Sequence, residues 1–293
     1  MSRRALVITT LLAVTACLPA DLAAQDPKVA KLMDSAAASY EKGRYLDAFE
    51  KYQKANQEAG GGTISAILGA LEASLAMGRY DGIITQVSAA SSDDPAEQAQ
   101  LDSLVGRAHL LTAYVVDPTA SPAKRAALAQ EHRKRALARL AKASKGSSDS
   151  AVRSRYYLAE AKAALGDTGG AGEALAGYFE GGGDSMPESR SASGLRDCLT
   201  DGQWVAEAES AKVLPSKQKG AAPRRAADGA SILAAVLTTE GKLSCMRMIP
   251  PLSEKANEIV YETLEGWSYT PAENEAGEAI ATPYTVTLDF TTD

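Results

Sequence analysis

Apolar residues recur at helical spacing through residues 27–183, then switch to strand-like runs near the C-terminus. Leu101, Leu104, Val105, Ala108 and Leu111 form one helical stripe, and Leu128, Leu137 and Leu140 form another. Asp117-Pro118 and Ser121-Pro122 separate the two. Further on, Ile232 to Leu237 is an apolar run, Glu240-Gly241 marks a turn, and Leu243 to Ile249 reads as the returning strand of a hairpin. Pro250-Pro251 ends it, and Ser253 suits a helix N-cap. Ala256, Ile259, Val260, Thr263 and Leu264 then share one face of a helix reaching about Glu265. Tyr284, Val286, Leu288 and Phe290 alternate with Thr285, Thr287 and Asp289, as in a strand with one buried and one wet face. The pattern predicts an α+β chain of two domains, with the helices first.

The helical part repeats itself. Gly43, followed by Tyr45, Ala48, Tyr52 and Ala55, recurs 35 residues later as Gly78, followed by Tyr80, Ile83, Val87 and Ala90. A third copy runs through Gly166, Ala171, Leu175 and Tyr178, with Thr168 in place of the aromatic residue. Glycine permits a tight turn between paired helices, and alanine permits their close approach. Residues 97–145 supply one more, degenerate pair with a lengthened loop. The Tyr40 to Ala55 segment resembles a tetratricopeptide (TPR) repeat, which implies an all-α TPR-like helical solenoid over residues 27–183. In that family the first helix of each pair lines a concave groove. The resemblance therefore implies a partner-binding groove at Met33, Tyr40, Leu68, Glu72, Arg153, Tyr156 and Glu160, where an extended peptide or helix would lie. Ala37 and Leu75 share this register but read as core.

Beyond Gly181-Gly182-Gly183, residues 184–209 read as a linker or an undecided segment. The order β-β-α-β follows over 210–293. With Trp267-x-Tyr269-x-Pro271-Ala272 and then Gly277, it resembles the TonB family C-terminal domain. The resemblance implies a small module that contacts protein partners by β-augmentation, with Thr285, Thr287 and Asp289 on the candidate edge strand. The chain departs from the family in lacking its Pro-rich spacer and its usual Tyr-Pro pair. Ordinary energy transduction does not follow from the likeness.

The N-terminus reads as an export signal. Arg3 and Arg4 precede a short apolar stretch from Ala5 to Ala16. Cleavage after Ala24 would release residues 1–24, whereas Val14-Thr15-Ala16-Cys17 resembles a lipobox that would remove 1–16 and lipidate Cys17. Either route predicts an exported, periplasmic protein, touching the membrane only through a lipid on Cys17. In such a compartment Cys198 and Cys245 either pair as a disulfide or stay as buried thiols.

Net charge of −6 argues against nucleic-acid partners. One segment runs against it: residues 124–145 hold eight basic residues and Glu131 alone, a net +7. It reads as a solvated helix face, with an anionic surface such as phospholipid headgroups as the alternative. His109 and His132 belong to no catalytic motif, Asp93-Asp94 reads as a solvated loop, and no spacing suggests a metal or cofactor. The reading is a non-catalytic adaptor of the bacterial cell envelope that binds protein or peptide partners. The alternative is an accessory transport protein that contacts TonB-dependent outer-membrane receptors.

Overall fold

The computed structural model describes residues 26–87, 91–117, 119–205, 230–251 and 254–289. The export signal with Cys17, the segment 206–229 and Phe290 lie outside the described residues, as does the side chain of Asp289.

Helices α1 (Pro27–Glu41) and α2 (Tyr45–Glu58) pack as a pair, as do α3 (Ile64–Ala76) and α4 (Tyr80–Val87), α5 (Pro95–Tyr114) and α6 (Pro122–Ala143), and α7 (Asp149–Ala164) and α8 (Thr168–Glu180). Asp26, Asp94, Ser121, Ser148 and Asp167 cap five of these helices by accepting a backbone N–H with the side chain. Three of the four turns within pairs are built alike. Gly43, Gly78 and Gly166 take φ of 74°, 74° and 88°. The residue after each donates its N–H back into the first helix, from Arg44 to Ser39, Arg79 to Ser74 and Asp167 to Lys162. Only glycine enters that left-handed conformation without strain, so the repeated glycines of the sequence are the repeated turns. The α5–α6 connection is longer, as its proline-rich loop predicts. The first helices α1, α3, α5 and α7 touch in succession and form an inner layer, with the second helices outside.

Residues 184–209 are not a linker over their described part. A short 3-10 turn leads into α9 (Ser189–Thr200), an amphipathic helix burying Ser191, Ala192, Leu195 and Cys198. The reading of this stretch as loose rested on its glycine and serine content. Those small residues instead let α9 lie close on a strand: a Cβ at Gly194 would sit 3.1 Å from the Met246 carbonyl oxygen.

Strands β1 (Ala230–Leu237), β2 (Leu243–Ile249) and β5 (Thr282–Asp289) form an antiparallel sheet in the order β2-β1-β5. Helix α10 (Glu254–Glu265) follows β2, and β3 (Ala272–Glu273) pairs with β4 (Ala279–Ile280) around Gly277. The hairpin, helix and final alternating strand thus stand where the pattern placed them. Strand β1 is buried along its whole length. Ile232 and Ala234 join Ile249 in the core of the helical array, whereas Leu233, Ala235 and Leu237 join Met248, Val260, Tyr261, Leu264, Trp267, Tyr269 and Leu288 in a second core under α10. A continuous apolar run is what a strand covered on both faces requires. The helical array and the sheet therefore share one core, and α9 with its Cys198–Cys245 disulfide ties β2 to the helices. None of the described helices is long and apolar enough to cross a membrane.

Candidate partner-binding cleft

Each inner helix contributes to one cleft of about 440 Å³. Tyr40 comes from the end of α1, Gly69, Glu72 and Leu75 from α3, Arg107 from α5 and Arg153 from α7. Tyr45 and Tyr52 of α2 flank one end. The rings of Tyr40 and Tyr45 meet edge to face at 5.1 Å. The Tyr52 ring lies where a side chain at Gly69 would be, with a Cβ there only 2.5 Å from it. Glu188, just ahead of α9, closes the other end together with Pro187, Ala230, Pro250 and Pro251.

The floor is charged. Arg107 Nη1 lies 2.6 Å from Glu72 Oε1, and its guanidinium stacks 5.0 Å from the centre of the Tyr157 ring. The Tyr157 hydroxyl donates to Glu188 Oε1 at 3.2 Å, and Arg153 Nε stands 3.1 Å from the same oxygen. Arg107 and Glu188 are 5% and 2% exposed, too buried to be left without charge partners. Burial, the largest single influence, would lower the Arg107 pKa, but Glu72, Tyr157 and Glu188 together outweigh it and the net shift is upward. Burial lowers the Arg153 pKa most, but Glu188, with Glu72 and Tyr157 behind it, carries the net shift upward. Burial raises the pKa of Tyr40, and Glu72 adds to it, so its phenol stays protonated at neutral pH. The network is not saturated among the described residues: Arg107 Nε, Arg153 Nε and Glu188 Oε2 make no hydrogen bond. The Arg153–Glu188 contact is thus a close ion pair whose Nε–H is misaligned for a hydrogen bond.

Of the groove residues expected from the sequence, Tyr40, Glu72 and Arg153 meet here, with Leu75 beside them. Met33 packs against Val29, Ala55 and Ala66 at the far end of the array, and Leu68 packs against the main core. Tyr156 and Glu160 require a correction. Both are completely buried, because the inner face of α7 is covered by the chain's own sheet. Glu160 Oε1 pairs with Arg247 Nε of β2 at 2.7 Å, accepts from the Tyr156 hydroxyl at 3.1 Å, and its other oxygen accepts from Tyr114 at 3.4 Å. Trp204 lies over the Arg247 guanidinium at 4.8 Å. These residues hold the sheet in place and are not open to a partner.

Sequence reasoning missed Arg107, because α5 was read only as a degenerate pair. The signal was there: Asp102, Arg107 and His109 are ionisable residues set among Leu101, Leu104, Val105, Ala108, Leu110 and Leu111 in a mostly apolar stretch. It missed Glu188 because that residue falls in the segment read as a linker. Between α5 and α6, His109 Nδ1 lies 3.1 Å from His132 Nδ1. Burial and the neighbouring His132 depress the His109 pKa to about 4.

Strand β5 pairs with β1 on one side only, and among the described residues its other edge is open. Thr285 and Thr287 are exposed there. Trp267, Tyr269 and Ala272 are buried, and the first two pack the second core. Tyr269 donates its N–H to the Gly241 carbonyl oxygen at 2.9 Å and stacks edge to face on Tyr284 at 5.1 Å, joining the β1–β2 turn to β5. Pro271 packs beside Gly241, and Gly277 turns the β3–β4 hairpin at φ 82°. Cys198 and Cys245 form a disulfide with a Cα separation of 5.4 Å. Among the described residues no group of three or more His, Cys, Asp and Glu side chains is placed to hold a metal.

Protein-family models, curated proteins and solved structures yield no match to this chain.

Proposed function

We propose that the chain is a non-catalytic adaptor exported to the bacterial cell envelope. Its TPR-like helical half would bind a protein or peptide partner, and its TonB-like module would bind another along the open edge of β5. The observation that carries this reading is the cleft itself: Tyr40, Glu72, Arg107 and Arg153 come from four successive inner helices to one open, mixed-charge and aromatic surface. Such a surface suits an extended peptide, whose backbone and side chains offer both donors and acceptors. The partner meets only the α1–α5 part of the inner face and the rim of α7, because the sheet fills the rest.

Photo-crosslinking in intact cells tests it. One probe replaces Tyr52 at the cleft, one replaces Thr287 on the β5 edge, and one replaces the exposed Leu46 on α2 as a control. The adaptor reading expects one partner captured from Tyr52 and lost on Arg153→Met, a different partner captured from Thr287, and neither from Leu46. Capture that is equal at all three positions overturns it. An outer-membrane receptor at Thr287 would instead favour the transport reading, for which the open β5 edge is the specific support.

A further inference from the structure

Helix α6 carries a second surface that the cleft does not use. Its buried side consists of Ala129, Ala136, Leu140 and Ala143. Positions 124, 127, 131, 134, 138 and 142 return to the side of the helix opposite that buried face at intervals of three or four residues. They place Lys124, Glu131, Lys134 and Lys142 on one exposed stripe, with Leu128 at its margin and Lys145 just past the end of the helix. Glu131 pairs with Arg135 at 2.9 Å, and Arg139 reaches Asp102 at 2.5 Å. Lys124, Lys134, Lys142 and Lys145 are exposed and form no ion pair among the described residues. This net +7 segment sits in a chain of net −6.

Charge alone would describe a solvated helix. The second observation is apolar. Among the described residues three large hydrophobic side chains are exposed, and two of them, Leu128 at 38% and Val115 at 37%, lie together where α6 begins. Asp81 and Asp117 border that end, so the unopposed positive charge lies further along, on Lys134, Lys142 and Lys145. A cationic stripe with aliphatic side chains at its margin matches the headgroup region of a bilayer, which takes cations at the phosphate level and aliphatic groups just beneath. A nucleic acid fits less well, since the stripe offers no aromatic ring for base stacking.

We propose that the outer face of α6 docks on membranes containing anionic phospholipid, which would leave the cleft free for a partner. The test uses the full chain carrying Cys17→Ser, so that an attached lipid cannot stand in for the face. Its binding is measured by co-flotation with vesicles of phosphatidylcholine alone, or with 30 mol% phosphatidylglycerol, at low and at 0.5 M salt. Binding should require the anionic lipid and disappear at high salt. Each basic residue at an anionic surface contributes about fivefold. The triple variant K134Q/K142Q/K145Q should therefore lose about a hundredfold in partitioning, and Leu128→Ser should lose a smaller factor, with unfolding midpoints unchanged. No binding to either vesicle, equal binding to both, or a triple variant within twofold of its parent overturns the proposal. So does salt-sensitive binding to a single-stranded oligonucleotide without binding to vesicles.

Discussion

Removing either half of the Glu160–Arg247 pair should destabilise the chain, but by different amounts. Both side chains are buried, at 0% and 3% exposure, with 2.7 Å between Oε1 and Nε. Breaking such a pair by deleting one partner typically costs about 3–5 kcal/mol, because the other charge is left buried. The two survivors are not equivalent. In Glu160→Leu the guanidinium remains, and it cannot shed its proton. It keeps the Cys245 carbonyl and the Trp204 ring as partners but loses its counter-charge. In Arg247→Met the carboxylate remains, with the Tyr156 and Tyr114 hydroxyls still donating to it, and it can take up a proton. Glu160→Leu should therefore cost towards 5 kcal/mol and be insensitive to pH. Arg247→Met should cost less, about 2–3 kcal/mol, because the stranded carboxyl keeps two hydroxyl donors. Because apolar replacement of a whole buried pair is often close to neutral, Glu160→Leu/Arg247→Met should return to within about 2 kcal/mol of the parent. Urea unfolding followed by circular dichroism measures all three, and the double-mutant cycle isolates the coupling. The shared core further requires one transition for helices and sheet together. Additive single costs, or a first transition that releases the sheet alone, would refute the argument that this pair welds the two halves.

Other outcomes can be checked on the same footing. The Cys198–Cys245 disulfide closes a separation of 47 residues, so the Cys198→Ser/Cys245→Ser chain should lose about 4 kcal/mol in urea unfolding. His109 binds a proton less readily folded than unfolded, since its pKa falls from 6.5 to about 4. Its contribution is therefore complete above pH 6.5 and is lost as the pH falls towards 4, by up to about 3 kcal/mol. The fall in thermal midpoint over that window should be smaller in His109→Gln than in the parent. At Gly241, φ is 72° and a Cβ would stand 2.1 Å from the Tyr269 carbonyl oxygen. Gly241→Ala should therefore cost at least about 2 kcal/mol, seen as a lowered urea midpoint.

What was legible in the sequence is what local rules govern. The glycines at 43, 78 and 166 announce turns because no other residue enters those φ values cheaply, and the alternation in 284–288 announces a strand because a sheet has two faces. The unbroken apolar run of β1 was also a signal, since a strand with one wet face would alternate. It says that something covers the second face without saying what. That it is the inner side of the helical array depends on contacts such as Glu160 with Arg247, 87 residues apart, which no periodicity encodes. For the same reason Tyr156 and Glu160 read as groove residues: their register on α7 is the same whether a partner or the chain's own sheet lies against them.

This internal occupation changes what a partner can be. A solenoid groove open along its whole length offers a long peptide several helices of contact. Here the sheet seals the α7 end, Pro250 and Pro251 form a wall, and the open remainder is about 440 Å³. That space takes a few residues of an extended chain rather than a folded domain. The bound segment would end or turn at Glu188 and the prolines instead of running through. Shortening a crosslinked partner from either side should then reveal a minimal segment of about three to five residues with undiminished affinity for the cleft. A partner whose affinity keeps rising with length beyond ten residues would need an inner face longer than the one the sheet leaves open.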